Sequence, residues 1–194
     1  MELRAALAAY LGRVRGVVAE AGGLLVVSGF AQGLALLGRV LPARYGRAIA
    51  VEDPGSPGAA GLLDRAGLDP VPIAVDGEGV RVDQLAASGA RVVLVTPAHQ
   101  FPSGVVLWPR RRAELLEWAA GRGGLIVEDD YDAEFRYDRE PVGALQGWRP
   151  TWWSTPARSA RRDQRGHARA RGAPRHGDLS PDVTPAPDRW EGPW

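Results

Sequence analysis

The sequence has no cysteine, no lysine and no long apolar run. Without cysteine, disulfides and thiolate metal sites are excluded. No segment reaches the roughly 18 apolar residues of a membrane helix, and the charged, amphipathic start is unlike a signal peptide. A cytoplasmic protein is therefore expected. Without lysine, all 24 basic side chains are arginine, and no side chain carries a primary amine.

Charge is distributed unevenly along the 194 residues, although 45% hydrophobic and 24% charged residues is an ordinary globular balance. Residues 1–147 carry 15 arginines against 18 acidic residues, whereas residues 148–194 carry nine arginines against five. Such a change of sign marks a compositional boundary. We predict one globular domain over residues 1–147 and a separate tail over residues 148–194.

The tail has too few apolar side chains to bury a core. It contains only two branched aliphatic residues, Leu179 and Val183, beside five tryptophans and seven prolines. A segment of this composition is predicted to be disordered. The tryptophans are unusual for a linker, which suggests the hypothesis that a frameshift near Gly147 produced an out-of-frame reading of GC-rich DNA.

Helical and strand patterns alternate through the first 147 residues. Helical spacing predicts helices over about 2–19, 31–41, 58–66, 82–87 and 109–120, and apolar runs predict strands over 24–27, 48–51, 71–75, 91–95 and 124–127. Pro42, Gly67 and Gly121 are expected to end helices, and Pro72 indicates an edge strand. The alternation predicts an α/β fold with a mostly parallel sheet and helices on both faces.

Three polar segments follow predicted strands: Ser28–Gly33, Thr96–Gly104 and Glu128–Tyr131. Ligands of parallel sheets bind at the carboxyl ends of the strands. The first segment joins a strand to a helix, where glycine and free amides suit a phosphate. The acidic segment needs a cationic partner, unless it is a solvated patch that could bind a metal. Taken singly, each segment is also typical of a surface loop.

In this order the segments resemble the aminotransferase-like domain of MocR-type regulators, within the GntR superfamily. The most specific matches are Thr96–Gly104 with Val105–Leu107, and Ile126–Tyr137 followed by Pro141–Leu145. Members of that family fuse a winged-helix DNA-binding domain to a fold-type-I domain that binds pyridoxal 5'-phosphate (PLP). The resemblance spans residues 2–147 and implies an incomplete large domain, without the winged helix or the small C-terminal domain.

The resemblance also implies a cofactor site. The amides of Gly29, Phe30 and Ala31 would hold the PLP phosphate. Asp129 would pair with the pyridinium nitrogen, which keeps the ring protonated. The acidic run leaves the register open by one residue. Glu128 and Asp130, on either side of Asp129, are therefore alternative partners for the pyridinium nitrogen.

Three more residues would surround the ring. Tyr131 would donate a hydrogen bond to the phenolate oxygen of PLP, and His99 and Phe101 would lie on the other side. Ser56 stands where related proteins carry an aromatic residue that stacks on the ring, and losing that contact costs roughly 1 kcal/mol.

The lysine that forms the Schiff base in this family would fall near Arg158–Arg162. A guanidinium stays protonated and does not replace that amine. We therefore predict a catalytically inactive, PLP-binding domain of a MocR-type regulator, with weak and non-covalent cofactor binding. The family is homodimeric and binds amino acids, and the missing sequence removes part of the dimer surface.

Three other functions are compatible with parts of the sequence. One is an active PLP-dependent aminotransferase acting on amino acids, which the missing lysine disfavours. Another is nucleic-acid binding through Arg158–Arg175, which carries seven arginines and one acidic residue; the tryptophans lie outside this block. The third is a doubly wound nucleotide-binding domain, but Gly29 and Gly33 lack the dinucleotide spacing.

Overall fold

The computed structural model describes residues 2–131 and 142–147. The strands are β1 Ala48–Asp53, β2 Asp69–Asp76, β3 Gly79–Val80, β4 Val92–Val95 and β5 Leu125–Glu128. The helices are α1 Glu2–Arg15, α2 Phe30–Val40, α3 Pro42–Tyr45, α4 Pro57–Arg65, α5 Val82–Ala87 and α6 Pro109–Arg122, with short 3-10 turns at Ala21–Gly23 and Leu145–Gly147. The predicted tail, residues 148–194, and residues 132–141 of the acidic motif lie outside the described residues.

The five strands form one sheet in the order β3-β2-β1-β4-β5. Neighbours among β2, β1, β4 and β5 are parallel, and only the short β3 runs antiparallel to β2. β4 is apolar and buried at all four positions, as expected for a central parallel strand covered on both faces. The predicted α/β fold with a mostly parallel sheet is confirmed.

Each face of the sheet has its own hydrophobic core. On one face α5 and α6 pack against the sheet, and the buried side chains include Leu85, Val93, Val95, Leu115 and Trp118. On the other face α2 and α4 do so, and the buried side chains include Leu34, Ile49, Leu63, Val92 and Leu94. Because side chains alternate along each strand, β4 contributes to both cores.

The N-terminal predictions were partly wrong. α1 ends at Arg15 instead of residue 19, because Gly16 adopts a positive φ of 66° that breaks the helix. The run Leu24–Val27 is not a strand, and Leu25 and Val26 are 73% and 54% exposed. Within the described residues no strand lies beside this run to pair with its backbone, so its apolar character alone did not make it part of the sheet.

Some prolines and glycines mark the ends and edges of helices and strands as predicted, and others do not. α6 continues through Gly121 and ends where Gly123 adopts the left-handed conformation, a common helix terminator. Pro42 begins α3 directly after α2. Pro72 lies in the part of β2 that pairs only with β1, since β3 reaches just Val75 and Asp76; the edge prediction is confirmed. Across the described segments, no helix is both long and apolar enough to cross a membrane.

Contact between α2 and α4 depends on Gly38. A Cβ at this position would collide with the carbonyl oxygen and the Cβ of Ala66. We expect Gly38→Ala to lower the free energy of unfolding by about 1–3 kcal/mol through overpacking, measured by urea unfolding. Gly33→Ala in the same helix is the control, because a Cβ there meets nothing within 4 Å; it should stabilise slightly. Equal effects of the two substitutions would contradict this account.

Candidate functional site

A cleft of about 380 Å³ lies at the carboxyl ends of β1, β4 and β5. Its polar lining comes from Glu52 and Asp53 at the end of β1, from Ser56 in the turn that follows, from Thr96 after β4 and from Asp129 after β5. Its apolar lining includes Val51, Pro57, Ala59, Ala60, Pro70, Pro72 and Leu94. Pro57, Ala59 and Ala60 belong to α4, so the cleft lies on the face of the sheet that α2 and α4 cover. It is at the edge where parallel sheets bind ligands.

Strand alternation decides which acidic residue faces the cleft. Val127 packs into the core under α2 and α4, whereas Ile126 packs into the core under α5 and α6. Asp129 continues the Val127 side and lines the cleft, so Glu128 and Asp130 point to the opposite face. Burial, followed by the charge of Asp130, raises the pKa of Asp129. Of the three candidates, Asp129 alone lines the cleft.

Two buried arginines balance the acidic residues that point away. Arg15 of α1, only 2% exposed, forms an ion pair with Asp130. Arg112 of α6, also 2% exposed, donates hydrogen bonds to three backbone carbonyls, those of Leu107 (3.0 Å), Gly143 (3.0 Å) and Pro97 (3.1 Å). Its charge also offsets that of Glu128, whose Oε2 accepts a 2.8 Å hydrogen bond from the Leu145 amide. These are the cationic partners that the acidic run requires.

Neither arginine was a candidate site residue from the sequence. A signal was present: Arg112 precedes Leu115, Leu116 and Ala119 at helical spacing, all of them buried. An arginine on the apolar stripe of a helix indicates a buried partner. Arg15 similarly follows the partly buried Leu11 by one helical turn.

Glu52 and Gln100 join the end of β1 and the turn after it to the loop after β4. Glu52 Oε2 accepts hydrogen bonds from the Thr96 amide (3.2 Å) and the Thr96 hydroxyl (2.5 Å). Burial raises the pKa of Glu52, partly offset by hydrogen bonds from Thr96 and from the Gln100 side chain. The Gln100 amide nitrogen also donates to the Pro54 carbonyl (2.7 Å), and its oxygen accepts from the Ser103 hydroxyl (2.5 Å). Neither residue was a candidate from sequence.

The remaining predicted ring contacts lie outside the lining of the cleft. His99 and Tyr131 stack on each other, with ring centroids 6.1 Å apart and an interplanar angle of 25°. Phe101 and Tyr131 are 46% and 47% exposed. The structure therefore brings together His99 and Tyr131, and Tyr131 lies two residues after Asp129 in the sequence.

The predicted phosphate-binding residues lie at the start of α2. Gly29 has a φ of 118°, a value favoured by glycine, and a Cβ there would meet nothing within 4 Å. The C-terminal part of α2 contacts Ala66 through Gly38, near the amino end of β2. Over its 11 residues, about 16 Å, the helix separates this contact from Gly29, Phe30 and Ala31, and none of these three residues lines the cleft.

These features fit PLP in two respects. An open glycine and the first amides of a helix suit a phosphate, and a half-buried carboxylate in a cleft suits a protonated pyridine nitrogen. Ser56 lines the cleft but offers no ring to stack. Among the described residues, no group of three or more histidine or acidic side chains is arranged to hold a metal ion.

The raised pKa values have a consequence for stability. A carboxyl group whose pKa is raised by folding stabilises the protein fully below its ordinary pKa, which is 4.5 for Glu52, and that contribution is lost as the pH rises through the raised value. Glu128 and Asp129 shift in the same direction. We expect the free energy of unfolding to fall as the pH rises above about 4.5, and Glu52→Gln to flatten part of this fall. Urea unfolding at several pH values tests it, and parallel curves for the two proteins would contradict it.

Comparison with known proteins agrees with this fold. The sequence model of the family Aminotransferase class I and II matches residues 1–150. The HTH-type transcriptional regulator YdeL of Bacillus subtilis strain 168 is 39% identical over 146 residues, which cover 75% of this chain and 31% of YdeL. The regulatory protein MocR of Rhizobium meliloti, named for rhizopine catabolism, is 37% identical over 145 residues, 75% of this chain and 29% of MocR. This chain thus spans about a third of the length of these regulators.

Solved structures show the same fold. The crystal structure of Pyrococcus horikoshii kynurenine aminotransferase, in complex with PMP, superimposes with a TM-score of 0.64 and 29% identity, covering 75% of this chain and 38% of the enzyme. The fold is thus that of the fold-type-I aminotransferases, and the cofactor of these proteins is PLP. With MocR-type regulators among its relatives and a family match over residues 1–150, the chain belongs to the class I and II aminotransferase family.

Proposed function

We propose that this polypeptide is a PLP-binding, non-transaminating domain of a MocR-type transcriptional regulator. The observation that carries the proposal is the position of Asp129, half-buried in a cleft at the strand ends. When bound, PLP supplies a protonated, electron-withdrawing ring. In this role Asp129 holds the proton on the ring nitrogen, and the amides of Gly29, Phe30 and Ala31 bind the phosphate.

Non-covalent binding follows from composition. The 194 residues contain no lysine, and transamination in this family uses a lysine both to attach the cofactor and to move a proton. Asp129 and the start of α2 provide polar contacts only, and Ser56 provides no stacking. Binding is therefore weak and reversible, and Tyr131, His99 and Phe101 are the side chains proposed to surround the ring.

The proposed function keeps the domain bounds and the ligands that were predicted from sequence. We place the PLP-binding domain at residues 1–147, in the cytoplasm, with PLP and an amino acid as its ligands. The predicted disorder of residues 148–194 and nucleic-acid binding through Arg158–Arg175 fall outside the described residues and remain predictions.

Titration of the purified chain with PLP tests the proposal. We expect saturable quenching of tryptophan fluorescence, reversed by dialysis, and no keto acid when an amino acid is added. Absence of saturable binding would contradict a PLP site. Keto-acid production by the chain with added PLP would instead support an active aminotransferase, the alternative suggested by the enzyme fold.

A further inference from the structure

One partly buried carboxyl group in the cleft has no part in the proposed contacts with PLP. Glu52 is the fifth residue of β1, and Thr96 follows β4, its parallel neighbour in the sheet. Both line the cleft that contains Asp129. Because Thr96 lies just past the last residue of β4, its backbone amide points beyond the ladder and needs a partner. The Glu52 side chain is that partner.

We infer that Glu52 is a positioning residue, which fixes the start of the loop Thr96–Gly104 against the end of β1 and so sets the wall of the cleft beside Asp129. This inference rests on the proposed function, since the cleft is taken as the place of the PLP ring. Glu52 itself is not assigned any contact with the cofactor.

The hydrogen bonds around Glu52 form a continuous chain across the two segments. Its Oε2 accepts one hydrogen bond from the backbone amide of Thr96 (3.2 Å) and another from the Thr96 hydroxyl (2.5 Å). Gln100, 1% exposed, joins the Pro54 carbonyl to the Phe101 carbonyl through its amide nitrogen, at 2.7 and 2.6 Å. The Gln100 oxygen accepts from the amide and hydroxyl of Ser103, at 3.1 and 2.5 Å. A loop braced at both ends in this way has few alternative conformations.

Loss of Glu52 would release the first of these ties. The Thr96 amide and hydroxyl would then lack their acceptor in a partly buried wall, which costs free energy unless the loop moves. An amide side chain retains an acceptor oxygen of the same size. The inference therefore predicts different results for Glu52→Ala and Glu52→Gln, whereas a requirement for negative charge predicts that both substitutions fail.

The first test is hydrogen exchange followed by mass spectrometry, without PLP. In Glu52→Ala we expect the peptide containing Thr96 to exchange at least about tenfold faster than in the wild type, and in Glu52→Gln to exchange within about threefold of it. Glu117→Ala, an exposed position on α6, is the matched control and should leave that peptide unchanged. Unchanged exchange at Thr96 in Glu52→Ala would overturn the inference.

The second test is PLP affinity by fluorescence titration. We expect about tenfold weaker binding in Glu52→Ala and near wild-type binding in Glu52→Gln. Thr96→Val should weaken PLP binding less than Glu52→Ala. The double variant should bind PLP like Glu52→Ala alone, because the two substitutions remove the same hydrogen bond between these side chains. Equal affinity of Glu52→Ala and wild type would overturn the inference while leaving the proposed function intact.

The tests separate the two proposals. If the wild-type chain bound no PLP, the proposed function would fail, and the exchange measurement would still decide whether Glu52 fixes the loop. If Glu52→Ala did not fold, Glu52→Gln and Thr96→Val would decide the question. Near wild-type affinity in Glu52→Gln with weaker binding in Thr96→Val supports the inference. Weaker binding in Glu52→Gln, or wild-type affinity in Thr96→Val, overturns it.

Discussion

Arg112→Met is expected to lower the free energy of unfolding by about 3 kcal/mol or more, because it leaves buried acceptors without a donor. The guanidinium donates to the carbonyls of Leu107, Pro97 and Gly143. It also offsets the charge of Glu128, whose pKa is raised by burial. Methionine keeps the apolar stem of the side chain but supplies neither donors nor charge. Urea unfolding followed by circular dichroism measures the change.

Arg110→Met is the matched control on the same helix. Arg110 is 80% exposed and pairs only at the surface with Glu114, at 2.9 Å. Exposed pairs of this kind contribute about 0.3–0.5 kcal/mol, so its loss should scarcely move the midpoint. If the two variants unfolded at the same urea concentration as the wild type, the cationic support of the acidic strand end would be refuted.

Asp129→Asn should weaken PLP binding by about 10- to 100-fold, the loss of one charge-assisted hydrogen bond. The carboxylate lines the cleft, whereas an amide does not carry the charge that holds a proton on the pyridine nitrogen. Fluorescence titration with PLP measures the affinity, and the absorbance of bound PLP reports its protonation.

Asp130→Asn tests the register of the acidic strand end. Asp130 points to the opposite face and pairs with Arg15, so PLP affinity should stay within about threefold of the wild type while stability falls because a buried arginine loses its partner. The account would be wrong about the register if Asp130→Asn abolished PLP binding and Asp129→Asn did not.

Much of the sheet could be predicted from sequence because its strands are short apolar runs bounded by glycine or polar residues. β4 and β5 are examples, and both are parallel neighbours as the alternation with helices predicts. The run Leu24–Val27 shows the limit of this reasoning. An apolar run indicates which side chains favour burial. A strand also needs a neighbouring strand to pair with its backbone hydrogen-bonding groups, and the local sequence pattern does not identify that neighbour.

The candidate site was predictable only where chain order determines it. The side of the sheet that Asp129 faces follows from alternation along β5 once Val127 and Ile126 are assigned to their cores. The pairs Glu52–Thr96 and Arg15–Asp130 join residues 44 and 115 positions apart. Such contacts depend on how helices and strands pack, and hydrophobic periodicity carries no information on which polar side chains meet across that distance.

Native mass spectrometry of the chain with PLP, followed by denaturation of the same sample, tests the central claim most directly. The account predicts a one-to-one complex under native conditions that releases all of its cofactor on denaturation, as PLP or, after treatment with borohydride, as the reduced alcohol. No complex under native conditions would contradict the binding site, and a PLP mass retained by the denatured polypeptide would contradict non-covalent attachment.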